Sequence, residues 1–397
     1  MRIQWIPIIA IIIANLGIDA ALWRWLRRPG TSLRGLKSGL HAALSVAMLA
    51  LMVTAISIPN RRVDNATLVA VMWMLFAYFS VCVPRWVSLL LWQLGRLRCL
   101  GTGGRRAVHT AAVAAGMALC GVMWWGALVT PRTVKVERVG FESAKLPASF
   151  DGYRVVQISD LHVGTYGTDT AAVSMFVDSV NALKPDLICF TGDLVNRQTS
   201  EAEPFKPVLS RLRARHGVMA VLGNHDYDDY RTWPTQAQKE ADRKALVRLE
   251  QGLGWTVLNN ATCPIGLGGD SIDVIGAENY GDPPFHTYGS LAATHNDLAN
   301  GRFKLLLQHN PYEWRDDVAG KTPVDLMLSG HTHAMQIMLT IGRHRLSPAR
   351  LRYREWGGLY TEGGQALYVN IGLGMVAMPM RIGATPEITL ITLRAKH

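Results

Sequence analysis

Side chains that bind metal ions recur at the ends of apolar, strand-like segments in the second two-thirds of the chain. They are aspartate, asparagine and histidine: Asp160, His162, Asp193, Asn224, His309, His331 and His333. Seven mixed oxygen and nitrogen ligands are too many for one tetrahedral zinc ion. They suit two metal ions that keep open positions for water and substrate, because a carboxylate can bridge two ions about 3.5–4 Å apart. The sequence therefore predicts a dinuclear metal centre.

The segments that must position these side chains alternate between strand and helix after residue 130. Apolar runs predict strands at 153–159, 186–191, 218–222, 271–276, 303–308, 324–329, 366–370 and 388–393, and helices at about 169–183, 204–215 and 235–251. The first three strands, separated by helices, predict a parallel sheet, and the later strands, with fewer helices, predict a second, mixed sheet. In open α/β sheets ligands bind at the carboxyl ends of strands. We therefore expect five strand ends to converge on one site.

Each of these motifs is weak alone, since a single histidine after a strand is more often an ordinary polar residue. Their spacing adds weight: 33 residues separate Asp160 from Asp193, and 31 separate Asp193 from Asn224. These gaps suit βαβ units of about 30 residues. The combination favours one convergent site over five unrelated turns.

The first 130 residues differ in kind from the rest. They hold thirteen Lys and Arg but only two acids, so they carry the whole net charge of +11, and the remainder is neutral. A nucleic-acid protein should instead carry its basic patch on the folded binding domain. The charge pattern therefore argues against nucleic acid as a partner.

Four apolar stretches within this first part predict a transmembrane domain of four helices. They cover about 3–23, 40–58, 66–83 and 107–129, each near the roughly 20 residues that span a bilayer. A cleaved signal peptide would explain one such stretch but not four. We predict a membrane domain at 1–130 and a second domain at 131–397. Residues 86–98 either continue the third span or lie along the membrane surface.

The loops between the spans predict the orientation of the chain. The first and third loops hold ten Lys and Arg, whereas the second loop holds two. Because positive loops stay in the cytoplasm, the C-terminal domain should lie outside it. Asp19, within the first span, is either a functional group or, as we favour, a carboxylate near the headgroups that faces Arg24 or Arg27.

The order of the motifs resembles that of the calcineurin-like metallophosphoesterase superfamily. The resemblance covers roughly residues 136–397 and includes the segments VVQISDLHVG, PDLICFTGDLVN, AVLGNHDY, LLLQHNP, DLMLSGHTH and PEITLITL. These segments are most similar to a membrane-associated bacterial branch related to cell-envelope phosphodiesterases. The resemblance implies two packed mixed β-sheets flanked by helices, in a protein of the bacterial inner membrane.

The resemblance also implies a role for each position. One metal ion would be held by Asp160, His162, Asp193 and His333, and the other by Asp193, Asn224, His309 and His331, with Asp193 bridging. His225 would contact the phosphoryl group or protonate the leaving oxygen, and Asp226 would orient His225. Mixed nitrogen and oxygen ligands suit Mn, Fe or Zn. No substrate-binding residue and no oligomeric state follow from the sequence.

Two departures from the family pattern lie beside the predicted site. The chain reads Ala334-Met335-Gln336 where many relatives carry two glycines before the glutamine, and it has Ile371 where relatives often carry arginine. Neither position is a predicted ligand. The departures therefore bear on the substrate and not on the metal centre.

The function that these observations favour is that of a membrane-anchored phosphoesterase with two divalent transition-metal ions. It would hydrolyse a phosphate ester or diphosphate bond of a lipid or cell-envelope substrate by attack of a metal-bound hydroxide. Four arginines at 342–353 could hold a second phosphate, touch anionic headgroups or lie on a solvated loop. One alternative is a broad extracytoplasmic phosphodiesterase acting on soluble nucleotides. Another is a membrane scaffold with a vestigial hydrolase domain, against which the complete ligand set argues.

Overall fold

A computed structural model describes residues 5–27, 33–97, 99–281, 286–289, 291, 298, 300–342 and 344–396. The chain forms two compact units, Met1–Trp124 and Trp125–His397. The domain limit drawn at residue 130 remains a prediction. Residues 3 and 4 of the first predicted span, and the loop arginines Arg28, Arg98 and Arg343, lie outside the described residues.

Four long helices make up the N-terminal part: α1 (Trp5–Leu26), α2 (Arg34–Ser57), α3 (Asn65–Gln93) and α4 (Thr102–Leu128). All four are long and apolar enough to cross a membrane, which confirms the four predicted spans. Helix α3 starts after Asp64, whose side chain accepts a hydrogen bond from the Thr67 N–H (2.8 Å) as an N-cap. The helix runs on to Gln93, so the segment after Trp86 continues the third span for most of its length.

The polar side chains of α1 pair with α3. Asp19 forms an ion pair with Arg85, which corrects the expectation that it faces Arg24 or Arg27. Asn15 accepts hydrogen bonds from Arg85 Nη2 (2.5 Å) and Trp86 Nε1 (3.0 Å), and it donates to the Tyr78 hydroxyl (2.8 Å). An acid within a span is costly unless it is paired, and here an arginine of the neighbouring helix provides the partner.

The C-terminal unit contains fourteen strands among its described residues. They are β1 (Lys135–Ser143), β2 (Arg154–Ile158), β3 (Leu187–Phe190), β4 (Val218–Ala220), β5 (Trp255–Val257), β6 (Ala261–Leu267), β7 (Asp270–Gly276), β8 (Lys304–Leu307), β9 (Leu326–Ser329), β10 (Leu339–Ile341), β11 (His344–Leu346), β12 (Gly358–Glu362), β13 (Gln365–Val369) and β14 (Glu387–Ala395). One sheet has the order β1-β14-β2-β3-β4-β5 and another β12-β13-β9-β8-β7-β6, while β10 and β11 form a hairpin. Each six-stranded sheet mixes parallel and antiparallel pairs. This confirms the predicted fold class.

The two sheets pack face to face around an apolar core. Val155 and Leu187 of the first sheet lie in one cluster with Leu305 and Leu326 of the second. Helices α5 (Ala171–Ala182) and α7 (Gln236–Gly252) cover the other face of the first sheet. Strands buried on both faces read as continuous apolar runs, which is why β2 and β3 were visible in the sequence.

The predicted helix at 204–215 is wrong in length. Only one α-helical turn forms there, α6 (Lys206–Leu209). Beyond it, the Asn181 side chain donates to the Arg211 carbonyl (2.8 Å) and accepts from the Arg213 N–H (2.9 Å). These are backbone groups that a longer helix would use for itself.

Candidate metal centre

Five parallel strand ends meet at the paired sheets. Strands β2, β3 and β4 run parallel in the first sheet, and β8 and β9 run parallel in the second. The segment that follows each strand carries at least one of the seven predicted ligands. The structure brings all seven side chains together, although their role as ligands remains a prediction.

The first predicted set of ligands is the more compact. Ligand atoms of Asp160, His162, Asp193 and His333 all lie within 4.8 Å of one another, and all four residues are buried. His333 Nε2 is 3.1 Å from Asp160 Oδ1, and it is also 3.1 Å from His162 Nε2. Two imidazole nitrogens and two carboxylates that converge in this way suit a divalent cation.

The second predicted set shares Asp193 with the first. Oδ2 of Asp193 lies 3.4 Å from His162 Nε2 and 3.2 Å from His309 Nε2. Oδ1 of Asn224 lies 3.1 Å from His309 Nε2 and 2.8 Å from His331 Nδ1. Asp193 therefore stands between the two sets, at the position that a bridging carboxylate would occupy.

Groups behind the imidazoles fix which ring nitrogen faces the cluster. Nδ1 of His309 lies 2.7 Å from the Thr191 carbonyl, and Nδ1 of His162 lies 3.0 Å from Asn196 Oδ1. Each of these nitrogens must donate to its oxygen, which leaves the Nε2 lone pair for a cation. His331 is reversed: its Nε2 contacts the Tyr353 hydroxyl (3.0 Å), and its Nδ1 faces Asn224.

The electrostatics of the cluster favour a cation. Burial opposes ionisation of Asp160, yet the neighbouring His333 holds the pKa of Asp160 below its usual value. Burial also disfavours a charged His309, but Asp193 outweighs it and raises the pKa of His309 to about 9. A site that stabilises an imidazolium in this way has the negative potential that a divalent cation needs.

The backbone at these residues is strained. Asp160, His162, Asp193, His331 and His333 all have φ between 44° and 73°, a region that costs non-glycine residues of order 1–3 kcal/mol each. Hydrogen bonds hold this geometry, among them Asp160 N–H to the Gly192 carbonyl (2.9 Å) and His162 N–H to the Asp193 carbonyl (3.1 Å). Strain maintained in this manner is typical of functional sites.

Two glycines leave room for the carboxylates. A Cβ at Gly223 would lie 2.2 Å from Asp193 Oδ1, and one at Gly330 would lie 2.3 Å from Asp160 Oδ2. Any larger residue would displace these oxygens. The two glycines are thus a condition for the observed positions of both aspartates.

His225 lies beside the cluster without joining either set. Its backbone N–H donates to Asp193 Oδ1 (2.8 Å), and its ring nitrogen Nδ1 lies 2.7 Å from the Asn196 carbonyl. Its ring stacks on that of Tyr230, with 4.0 Å between the ring centroids. Burial lowers the pKa of His225 to about 3. The ring is therefore neutral near pH 7 with Nδ1 protonated, and Nε2 is the nitrogen left for another contact.

Asp226 makes its hydrogen bonds to the backbone, and its expected role in orienting His225 remains a prediction. Its carboxylate accepts hydrogen bonds from four backbone N–H groups, those of Asp193 (2.7 Å), Leu194 (3.0 Å), Val195 (3.2 Å) and Gly223 (2.9 Å). The His225 ring contacts the Asn196 carbonyl. Asp226 ties the Asp193 turn to the turn that carries Asn224.

Four further residues contact the predicted ligands. Asn196 and Tyr353 are described above, the Tyr230 hydroxyl accepts from Asn224 Nδ2 (2.8 Å), and Nη2 of Arg381 lies 3.1 Å from His333 Nδ1. Arg381 is fully buried, and it also donates to the carbonyls of Gly374, Ala384 and Ile371. Of the four, only Asn196 lies within a recognised motif, so the sequence carried little signal for the others.

The two departures from the family pattern have local explanations. Ala334 and Met335 have φ of 51° and 46°, a conformation that glycine adopts without strain, so glycines at these positions in relatives are understandable. Ile371 packs with Ala334 and Trp356 in a small apolar cluster. The Ile371 carbonyl accepts a hydrogen bond from the buried Arg381. The guanidinium beside His333 therefore comes from position 381 and not from position 371.

Comparison with known proteins agrees with this geometry. Residues 153–335 match the family model of the calcineurin-like phosphoesterases. An uncharacterized metallophosphoesterase of Bacillus subtilis, YkuE, is 33% identical over 72% of this chain and 95% of its own length. A zebrafish transmembrane protein with a metallophosphoesterase domain is 28% identical, over 82% of this chain and 71% of that protein. The UDP-2,3-diacylglucosamine pyrophosphatase LpxG of Chlamydia trachomatis is 27% identical, over 71% of this chain and 96% of that protein.

The chain therefore belongs to the calcineurin-like phosphoesterase family. It is a metallophosphoesterase, a metal-dependent phosphoester hydrolase, and it carries four candidate membrane spans before the hydrolase domain.

Proposed function

We propose that the protein hydrolyses a phosphate ester or diphosphate bond of a lipid or cell-envelope substrate with two divalent transition-metal ions. The observation that carries the proposal is the position of Asp193 Oδ2, which lies within 3.4 Å of His162 Nε2 and within 3.2 Å of His309 Nε2. Asp193 belongs to both predicted ligand sets, so one carboxylate would serve two ions.

The roles of the residues follow from their positions. One ion would be held by Asp160, His162, Asp193 and His333, and the other by Asp193, Asn224, His309 and His331. Such ions supply Lewis acidity, which lowers the pKa of water and withdraws charge from a phosphoryl group. Mn, Fe and Zn all suit these ligands.

His225 would act on the substrate and not on the metal. Its Nδ1 is engaged by the Asn196 carbonyl, so its Nε2 is the nitrogen available for a phosphoryl or leaving-group oxygen. A proton given to the leaving oxygen would have to be held on Nε2, in the imidazolium form. A neutral ring, with its proton on Nδ1, could only accept a hydrogen bond at Nε2 from a protonated oxygen of the substrate. Asp226 would act indirectly, because it holds the backbone of Asp193 and Gly223 in place.

The membrane setting supports a lipid or envelope substrate. Four candidate spans precede the hydrolase domain, and the similar protein LpxG is named as a UDP-2,3-diacylglucosamine pyrophosphatase. The Lys and Arg of the first and third loops favour an extracytoplasmic domain in a bacterial inner membrane. Soluble nucleotides are the alternative substrates, and we keep them as an outcome of the test.

The test is an assay of the purified full chain in nanodiscs. Substrates are UDP-2,3-diacylglucosamine, a phospholipid, a cyclic nucleotide and bis(p-nitrophenyl) phosphate, each with Mn²⁺, Fe²⁺ or Zn²⁺. We expect turnover of a lipid-linked phosphate that disappears in Asp193→Asn, because that change weakens both ligand sets. The control is Asp325→Asn, a buried carboxylate that instead accepts from the Lys304 N–H (2.9 Å). Turnover of soluble nucleotides alone would overturn the lipid assignment, and full activity in Asp193→Asn would overturn the metal assignment.

A further inference from the structure

The hairpin β10–β11 leaves the domain directly after the last two predicted ligands, and its apolar side chains are exposed. Leu339 is 57% exposed, Ile341 59% and Leu346 45%. Leu339 lies opposite Leu346 in the ladder, and Ile341 is two residues further on, so the three side chains share one face. In the turn that follows, Leu351 is 92% exposed. Clustered exposed apolar residues of this kind mark an interaction surface.

Hydrogen bonds place the base of this hairpin next to the end of α4. The Met338 N–H donates to the Ile382 carbonyl, and the Ile382 N–H donates to the Gln336 carbonyl, both at 2.8 Å. The neighbouring Arg381 N–H donates to the carbonyl of Gly126, also at 2.8 Å. Gly126 lies in the last turn of α4, a candidate membrane span. The base of the hairpin therefore lies close to the C-terminal turn of this helix.

The same loop carries exposed cations. Arg350, Arg352 and Arg354 are exposed, and Arg354 lies 3.8 Å from the buried Glu355. Apolar side chains interleaved with arginines are typical of segments that lie in the membrane interface. Arginines near a bilayer surface also attract anionic lipids. Both features fit a lipid surface better than a purely apolar protein partner.

We propose that residues 339–342 and 344–354, which we call the interfacial loop, insert into the headgroup region of the bilayer. Leu339, Ile341 and Leu351 would enter the boundary with the acyl chains, and the arginines would contact anionic lipid phosphates. Tyr353 of this loop contacts His331 (3.0 Å). The loop thus joins the membrane surface to the candidate metal centre and would present a membrane lipid headgroup to it. This last step rests on the proposed function, whereas the insertion does not.

The test measures the depth of the loop with an environment-sensitive label and needs no substrate. Leu351→Cys, and separately Ile341→Cys, is labelled with the fluorophore NBD in the full chain, after Cys99, Cys120 and Cys263 have been replaced by serine. The nanodiscs contain phosphatidylcholine, with or without one quarter phosphatidylglycerol, and doxyl-labelled lipid as quencher. Gln251→Cys, on the exposed end of α7, is the control. We expect blue-shifted emission and quenching by doxyl lipid at positions 351 and 341, and water-like, unquenched emission at 251.

A second arm tests the charges. Arg350→Gln should lower the ratio of inserted to free label at position 351 about fivefold in phosphatidylglycerol discs and leave it unchanged in phosphatidylcholine discs. Water-like emission at both loop positions would overturn the proposal. Blue-shifted emission without doxyl quenching would overturn it too, because it would show that another protein chain covers the loop. Insertion without turnover of any lipid substrate would refute the proposed function and leave the docking intact.

Discussion

Replacement of Gly223 by alanine tests the candidate metal centre by a purely steric route. A Cβ at this position would lie 2.2 Å from Asp193 Oδ1 and 2.6 Å from Asp193 N, whereas ordinary contact begins near 3.4 Å. Asp193 must therefore move by about 1 Å to accept the methyl group. Because Oδ1 also accepts from the His225 N–H (2.8 Å), the shift would disturb His225 as well.

We expect a large loss of activity and of bound metal from this small substitution. A misplacement of about 1 Å can lower the rate about 100-fold, and here the displaced group is the carboxylate that both ligand sets share. We expect kcat on bis(p-nitrophenyl) phosphate to fall about 100-fold. We also expect bound metal, measured by mass spectrometry of the purified full chain, to fall below two ions per chain.

Gly140→Ala is the matched control. Gly140 lies on β1 in the same domain, and a Cβ there would meet nothing within 4 Å. This variant should keep wild-type rate and metal content. Thermal unfolding of both metal-free proteins separates a local shift from general unfolding. Gly223→Ala with two ions and wild-type turnover would refute the assignment of Asp193 as a bridge held by this close contact.

Three further predictions address stability, the role of His225 and topology. Burial raises the pKa of Glu387 to about 7. An acid whose pKa is raised on folding destabilises the protein as pH rises from about 4.5 through 7, by up to about 3 kcal/mol above pH 7. Glu387→Gln should therefore raise the Tm of the full chain in detergent more at pH 8 than at pH 5, and an equal change at both pH values would contradict this. His225→Ala should keep its metal content and lose about 10²–10⁴-fold in turnover. A smaller loss with nitrophenolate as leaving group would identify a proton donor, an equal loss would identify a phosphoryl contact, and loss of a metal ion would show that His225 is a ligand. A reporter that is active only in the cytoplasm, fused after residue 397, should be silent, and strong activity would reverse the proposed topology.

The sequence predicted the strands that are buried on both faces and missed those at the edges. Strands β3, β8 and β9 are fully buried, and β2 is buried after its first residue, so each reads as an apolar run. Strand β1 alternates exposed and half-buried residues through most of its length. Its pairing with β14 is the contact that defines it. Such long-range pairing leaves no local pattern to detect.

The residues of the candidate site also fall into a group that the sequence predicted and a group that it missed. Its seven predicted ligands follow strands, so order along the chain and strand polarity together indicated their convergence. The contacts of Tyr230, Tyr353 and Arg381 with those ligands depend on turns and loops whose path no periodicity reveals. The backbone contacts of Asp226 were missed for a related reason. Nothing in the sequence shows that four backbone N–H groups converge on its carboxylate.

Arg381 contacts both the end of α4 and the predicted ligand His333. Its backbone N–H donates to the carbonyl of Gly126 in the last turn of α4, and its guanidinium contacts His333 Nδ1. A Cβ at Gly126 would lie 2.7 Å from the Arg381 carbonyl, so this approach is as close as the backbone allows. The last turn of α4 is therefore hydrogen-bonded to the residue whose guanidinium contacts the predicted ligand His333.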